Sequence, residues 1–123
     1  FYRDALGLRV TADGRAMGLS VAFLAAGDYR HHLALNAQET AGAAPPPPGH
    51  TGLQHLAFLV ADRAALVALA RRLEAHGHPI LSGWDHGATV SLYVRDPDGH
   101  TVELYYDRPR EHWYDARGHP VLR

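Results

Sequence analysis

At 123 residues and 13.5 kDa the chain is the size of one domain, and its 46% hydrophobic content is enough for a packed core, which excludes a wholly disordered chain. Twelve basic against thirteen acidic residues leave a formal charge of -1, so there is no basic field to attract phosphates, and no run approaches the roughly 20 apolar residues of a membrane span. The absence of cysteine removes disulfides, thiolate zinc sites and a cysteine nucleophile, and suits a reducing cytoplasm.

All twelve basic residues are arginine, so lysine Schiff-base and P-loop chemistry are absent as well. Ten histidines are many for this length, and imidazole is the commonest protein metal ligand. A surface-histidine habit of an Arg- and Ala-rich composition is the competing account, and position has to decide.

The chain opens on Phe1, and FYRDALGL over 1–8 reads as the last turns of an amphipathic helix ending near Gly7, so an upstream element is expected. Leu8 to Thr11 is a short extended run, Asp13-Gly14 a turn, and Leu19 to Ala25 a strand. Gly27-Asp28 leads into a second strand, Tyr29 to Asn36. The segment AGAAPPPPG over 41–49 holds polyproline II and joins no ladder, so it is a stiff spacer dividing the chain.

Beyond it, Leu53 to Val60 reads as a strand. Asp62 caps a helix whose face is Leu66, Leu69, Ala70 and Leu73, and Gly77 and Pro79 stop it. Ile80-Leu81 is a short strand and Val90 to Val94 a longer one. Asp96-Pro97-Asp98-Gly99 is a turn, and Thr101 to Tyr106 closes the unit. The second part is thus β-α-β-β-β, and the first part repeats that order with its first strand and most of its helix missing. Residues 1–40 and 51–108 are the two modules, 41–50 the linker, and 109–123 a tail without periodicity. Together they make one domain of α+β class, with paired βαβββ modules whose curled sheets enclose a cavity.

Strand parity sorts the polar residues. In the last strand Val102, Leu104 and Tyr106 form the helix-packing face, which turns Glu103 to the opposite, concave face. In LQHLAFLV the helix-packing set is Leu56, Phe58 and Val60, so His55 turns to the same concave side. A carboxylate among apolar neighbours needs a partner, and two His plus one carboxylate make the open-sided triad of non-heme Fe(II) oxygenases. His31 and His32 lie on the expected Tyr29–Asn36 strand and point to opposite faces, so at most one looks into the site. His86 stands at the entrance to VSLYV, and Tyr93 lies within that strand. His50, His76, His78, His100, His112 and His119 fall in linker, turns, helix end or tail and read as solvated.

The run FYRDALGL, the strand GLQHLAFLV and the segment DHGATVSLYVRDPDGHTVELYYDRPREHW, in that order, resemble the vicinal oxygen chelate superfamily of glyoxalase, bleomycin-resistance and dioxygenase proteins. Within it they look most like the catechol extradiol dioxygenase branch. The resemblance implies His55 and Glu103 as metal ligands, with a third ligand, a histidine, expected upstream of Phe1. It implies His31 as the acid/base that assists O₂ activation, with a one-residue ambiguity against His32, Tyr93 as a hydrogen-bond donor to substrate, and His86 and His32 on the substrate side.

The expected function is an Fe(II)-dependent extradiol dioxygenase of aromatic catabolism, taking a catechol-type diol and O₂. It would be cytoplasmic, without nucleic-acid or membrane partners, and able to pair as a homodimer. A lyase or isomerase using Zn, Ni or Mn, and a non-enzymatic binder of a small planar ligand, are the alternatives. Glyoxalase-like lyases carry a carboxylate where this chain has His31 and His32, and the metal-free branch lacks both ligands.

Overall fold

The computed structural model describes residues 1–123, and the class is α+β, with seven strands and one α-helix. The chain divides into two compact units, Phe1–Gly49 and His50–Arg123. No helix is long and apolar enough to cross a membrane.

In the first unit three strands, β1 (Arg9–Asp13), β2 (Val21–Ala25) and β3 (Leu33–Asn36), form an antiparallel meander in sequential order. The register of β1 on β2 slips between Val10 and Ala12, a bulge that leaves Thr11 without a directly opposed partner. Buried side chains come from the N-terminal segment (Tyr2, Ala5, Leu6 and Leu8) and from the central strand β2 (Leu24 and Ala25).

The expected helix tail over 1–8 is instead a single hydrogen-bonded turn, with the amides of Ala5 and Leu6 both donating to the Phe1 carbonyl and Leu8 to that of Tyr2. One turn fixes several dihedrals for few hydrogen bonds and does not propagate past Gly7, whose φ is +94°. The expected strand Tyr29–Asn36 begins only at Leu33. The Gly27-Asp28 reversal runs on through residue 32, so His31 and His32 precede the strand rather than lying on it.

The second unit holds β4 (Leu56–Leu59), α1 (Arg63–Ala75), β5 (Ser82–Asp85), β6 (Thr89–Arg95) and β7 (Thr101–Asp107). The sheet order is β4-β7-β6-β5, parallel at the β4–β7 pair and antiparallel elsewhere. Asp62 caps α1 by accepting from the Ala65 amide, at the position expected. The helix lies against β7. Its buried Leu66 and Leu73, with Val94, Val102 and Leu104 of the sheet, make the core, all at or below 3% exposure. Burying five such side chains, at about 1.5–3 kcal/mol each, is what holds the helix to that face.

The expected strand at Ile80-Leu81 lies slightly later, over Ser82–Asp85, because pairing with β6 and not apolar content defines it. The Asp96–Gly99 turn is as expected. Asp96 is buried and its Oδ1 accepts from the amides of Asp98 (3.0 Å) and His100 (2.7 Å), while Gly99 takes the positive φ of +87° that closes the loop.

Candidate active site

Register places the polar residues of the second unit. Glu103 is the direct partner of Ala57 on β4 and of Tyr93 on β6. Directly opposed residues share a face, so Glu103 and Tyr93 point to the side away from α1. The expected strand Leu53–Val60 is narrower, so His55 lies just before β4, outside the ladder, and it is a measured distance and not parity that joins it to them. Its Nε2 stands 3.1 Å from Glu103 Oε2.

The second carboxylate oxygen, Oε1, accepts the Tyr93 hydroxyl at 2.8 Å. Tyr93 Oη in turn lies 3.1 Å from His86 Nε2, which is itself 4.0 Å from Glu103 Oε1. His86 Nδ1 meets the main-chain oxygen of Arg123 at 2.8 Å. One hydrogen-bonded row thus runs from His55 through Glu103, Tyr93 and His86 to Arg123. The Glu103 side chain is only 13% exposed, against 35% and 32% for the two imidazoles. Both of its oxygens are engaged, which is what a carboxylate so shielded from water requires.

Burial, then the hydrogen bond to the Glu103 carboxylate and its charge, push the Tyr93 phenol above its ordinary value. The group is therefore a neutral hydrogen-bond donor across the physiological range. Tyr105, partner of Ser91 on the same face, is also raised, chiefly by burial and then by the charges of Asp107 and Glu103.

The donors suit a divalent metal. Two neighbouring ligands about 2.1 Å from one ion lie about 3.0 Å apart at a right angle and about 3.4 Å apart at a tetrahedral one. The His55–Glu103 separation of 3.1 Å falls in that interval, and an imidazole nitrogen with a carboxylate oxygen is a borderline-hard pair suited to Fe(II), Mn, Ni or Zn. One departure stands out. A metal-bound imidazole ordinarily donates its other N–H outward, whereas His55 Nδ1 is buried without a hydrogen-bond partner.

The other expected site residues lie in the first unit. His31 stacks on Phe23, with ring centroids 4.6 Å apart and planes 21° off parallel, and its Nδ1 is buried and unpartnered. His32 is exposed. Its Nδ1 accepts from the Ala26 amide at 3.3 Å, and its ring meets Tyr29. Parity along a strand, the basis for choosing between them, does not apply to residues that precede the strand.

His100, read as solvated, is held 3.1 Å from Asp96 Oδ2, and His119 lies 3.7 Å from Asp115. Asp96, Asp98 and His100 each present a ligand atom within 4.8 Å of the others. Asp96 spends its oxygens on two amides and the His100 ring, which is the work of a turn anchor. Sequence reasoning missed Arg123 altogether. Its contribution is a backbone oxygen, and no side-chain pattern announces that.

A family model described as Glyoxalase/Bleomycin resistance protein/Dioxygenase superfamily matches residues 1–104. Catechol-2,3-dioxygenase of Bacillus subtilis (strain 168) is 47% identical over 79 residues, 63% of this chain and 27% of that protein. Biphenyl-2,3-diol 1,2-dioxygenase 3 of Rhodococcus globerulus is 35% identical over 107 residues, 87% of this chain and 54% of that one. The chain therefore spans about half, or less, of the length of these curated relatives. Among solved structures, a lactoylglutathione lyase from Agrobacterium tumefaciens is 30% identical with a TM-score of 0.61, covering 86% of this chain and 80% of its own. The fosfomycin resistance protein FosX of Listeria monocytogenes, 16% identical with a TM-score of 0.62, covers 91% of this chain and 83% of its own and shares the fold.

Proposed function

The chain belongs to the glyoxalase/bleomycin resistance protein/dioxygenase superfamily, and on that footing we propose that it is an Fe(II)-dependent extradiol dioxygenase cleaving the ring of a catechol-type diol. The observation that carries this reading is the Glu103 carboxylate shared between His55 on one oxygen and the Tyr93 hydroxyl on the other. His55 and Glu103 would hold the metal, with a third ligand supplied from the N-terminal side. An iron(II) ion held there would supply the redox chemistry with O₂.

The chain's own residues do the rest. Tyr93, kept protonated by burial and by Glu103, offers an O–H to a substrate oxygen or to Glu103 and fixes the ligand carboxylate in orientation. His86 sits beside that hydroxyl and can hold a proton at Nε2. The family resemblance alone carries His31 as the acid/base of this reading. His32, tied to the Ala26 amide, is left a substrate-side role.

The test is anaerobic loading of the full-length protein with Fe(II), followed by O₂ and a panel of catechols including biphenyl-2,3-diol. A yellow ring-fission product with matching oxygen uptake is expected. Absence of both across the panel overturns the proposal. The likeness to lactoylglutathione lyase favours one second reading, a metal-dependent lyase or isomerase. Turnover of a hemithioacetal with Zn or Ni, which cannot change oxidation state in this chemistry, would select it.

A further inference from the structure

The first unit gathers a set of charged and aromatic side chains that the metal reading leaves unused. Arg9, at the start of β1, is the partner of Ala25 at the end of β2, which sets its side chain beside the reversal that follows. There its Nη2 donates to the Gly27 carbonyl at 2.9 Å, which holds the guanidinium in place and leaves its other N–H groups uncommitted. Arg30, on the same reversal, has no ion-pair or hydrogen-bond partner, and Asp28 pairs with neither arginine.

The two arginines line an open hollow of about 350 Å³ together with Thr11, Phe23, Asp28 and Tyr29. That volume falls at the lower end of small-ligand sites, about 300–1,000 Å³. Each of its two rings is backed by an imidazole. Phe23 stacks on His31 with centroids 4.6 Å apart, and Tyr29 meets His32 at 4.7 Å. A ring already held from behind gives up little freedom when a ligand meets it. Thr11, at the bulge, ties the wall together by donating its hydroxyl to the Phe23 carbonyl.

Charge and shape then name the ligand class. Two guanidinium groups against the one Asp28 carboxylate leave a single net positive charge around the hollow, which suits a monoanion. A guanidinium fork matches a carboxylate through two parallel hydrogen bonds, and the neighbouring rings favour a flat apolar body behind it. We propose that this hollow of the first unit is a binding site for a small aromatic monocarboxylate. Its carboxylate lies on Arg9 and Arg30 and its ring against Phe23 and Tyr29. The site rests neither on the His55–Glu103 pair nor on the dioxygenase reading.

Calorimetry on the metal-free protein, where no cation can take the carboxylate, tests this with three probes. Benzoate carries both features, inorganic phosphate the charge alone, and benzyl alcohol the ring alone. Benzoate should bind with a Kd of about 1 mM or tighter, and the other two at least about tenfold more weakly. Amide shifts on benzoate addition should centre on residues 27–31.

Arg30→Gln removes a side chain that the fold does not use, and should weaken benzoate on the order of tenfold, as should Arg9→Gln. Asp28→Asn should tighten it by about two- to threefold. Phe23→Leu should narrow the preference for benzoate over acetate by about three- to tenfold. His55→Ala should leave the affinity unchanged. No benzoate binding up to about 20 mM, or phosphate or benzyl alcohol equal to benzoate, overturns the proposal. So does an affinity unmoved by the two arginine substitutions together, or one lost with His55→Ala, which would put the benzoate beside Glu103 instead. Benzoate binding as expected with no catechol cleaved leaves this site standing and only the dioxygenase reading overturned.

Discussion

Tyr93 and Glu103 stand directly opposite one another on β6 and β7, ten residues apart in the chain and joined by a 2.8 Å hydrogen bond. What sets them opposite is the length of the Asp96–His100 turn, since Val94 pairs with Val102 and Arg95 with Thr101 on the way to it. A one-residue slip would turn Glu103 to the core face.

Asp96→Ala should therefore cost stability and loosen the site together. Its carboxylate is buried and accepts two amides and the His100 ring, so its loss strands donors worth about 1–3 kcal/mol in the denaturant midpoint. Asp96→Asn, which keeps one acceptor oxygen, should recover part of that.

His55→Ala and Glu103→Gln should each weaken metal binding by at least about 100-fold, measured as metal content after dialysis and by calorimetry. Asp98→Ala should leave it unchanged. The reverse pattern would move the metal to the Asp96–Asp98–His100 turn.

Tyr93→Phe removes the donor to Glu103 without removing a ligand. Metal content should hold within a few-fold, whereas kcat for ring cleavage should fall about 10- to 100-fold. The fold should lose only about 1 kcal/mol. A loss confined to KM would point to substrate affinity alone.

Tyr93 and Tyr105 both have folded values raised above the ordinary tyrosine range. The folded chain holds those protons more tightly than the unfolded one, so their stabilisation is complete below about pH 10 and is lost as pH rises through the raised values. Ultraviolet titration should show two of the six tyrosines ionising last, with unfolding free energy falling over the same range. Tyr93→Phe should remove one of the two late steps.

Side-chain alternation made the second unit legible. In β4 the burial of Leu56 and Phe58 over Ala57 and Leu59 follows parity, as does that of Val102 and Leu104 in β7, so the facing of Glu103 came from pattern alone. The first unit was less legible for local reasons. Residues 29–36 have strand composition throughout, but His32 accepts the Ala26 amide and Tyr29 packs on its ring, which keeps the reversal going for four residues more. The segment from Trp113 onward is held by backbone groups, one indole and the Asp115 carboxylate, which accepts the amides of Arg117 and His119, and no periodicity marks such anchors.

The parallel pairing of β4 with β7 joins the first and last strands of the unit, whereas β5, β6 and β7 follow one another through short reversals. Loop-closure entropy delays the distant pair, so the hairpins can form while β4 is still unattached. Tyr93 and Glu103 can thus meet early in folding, but His55 reaches them only when the final strand docks. A cation that needs both His55 and Glu103 would then be captured by the finished unit and not by its precursors, which makes metal uptake during refolding a clock for the last step of assembly.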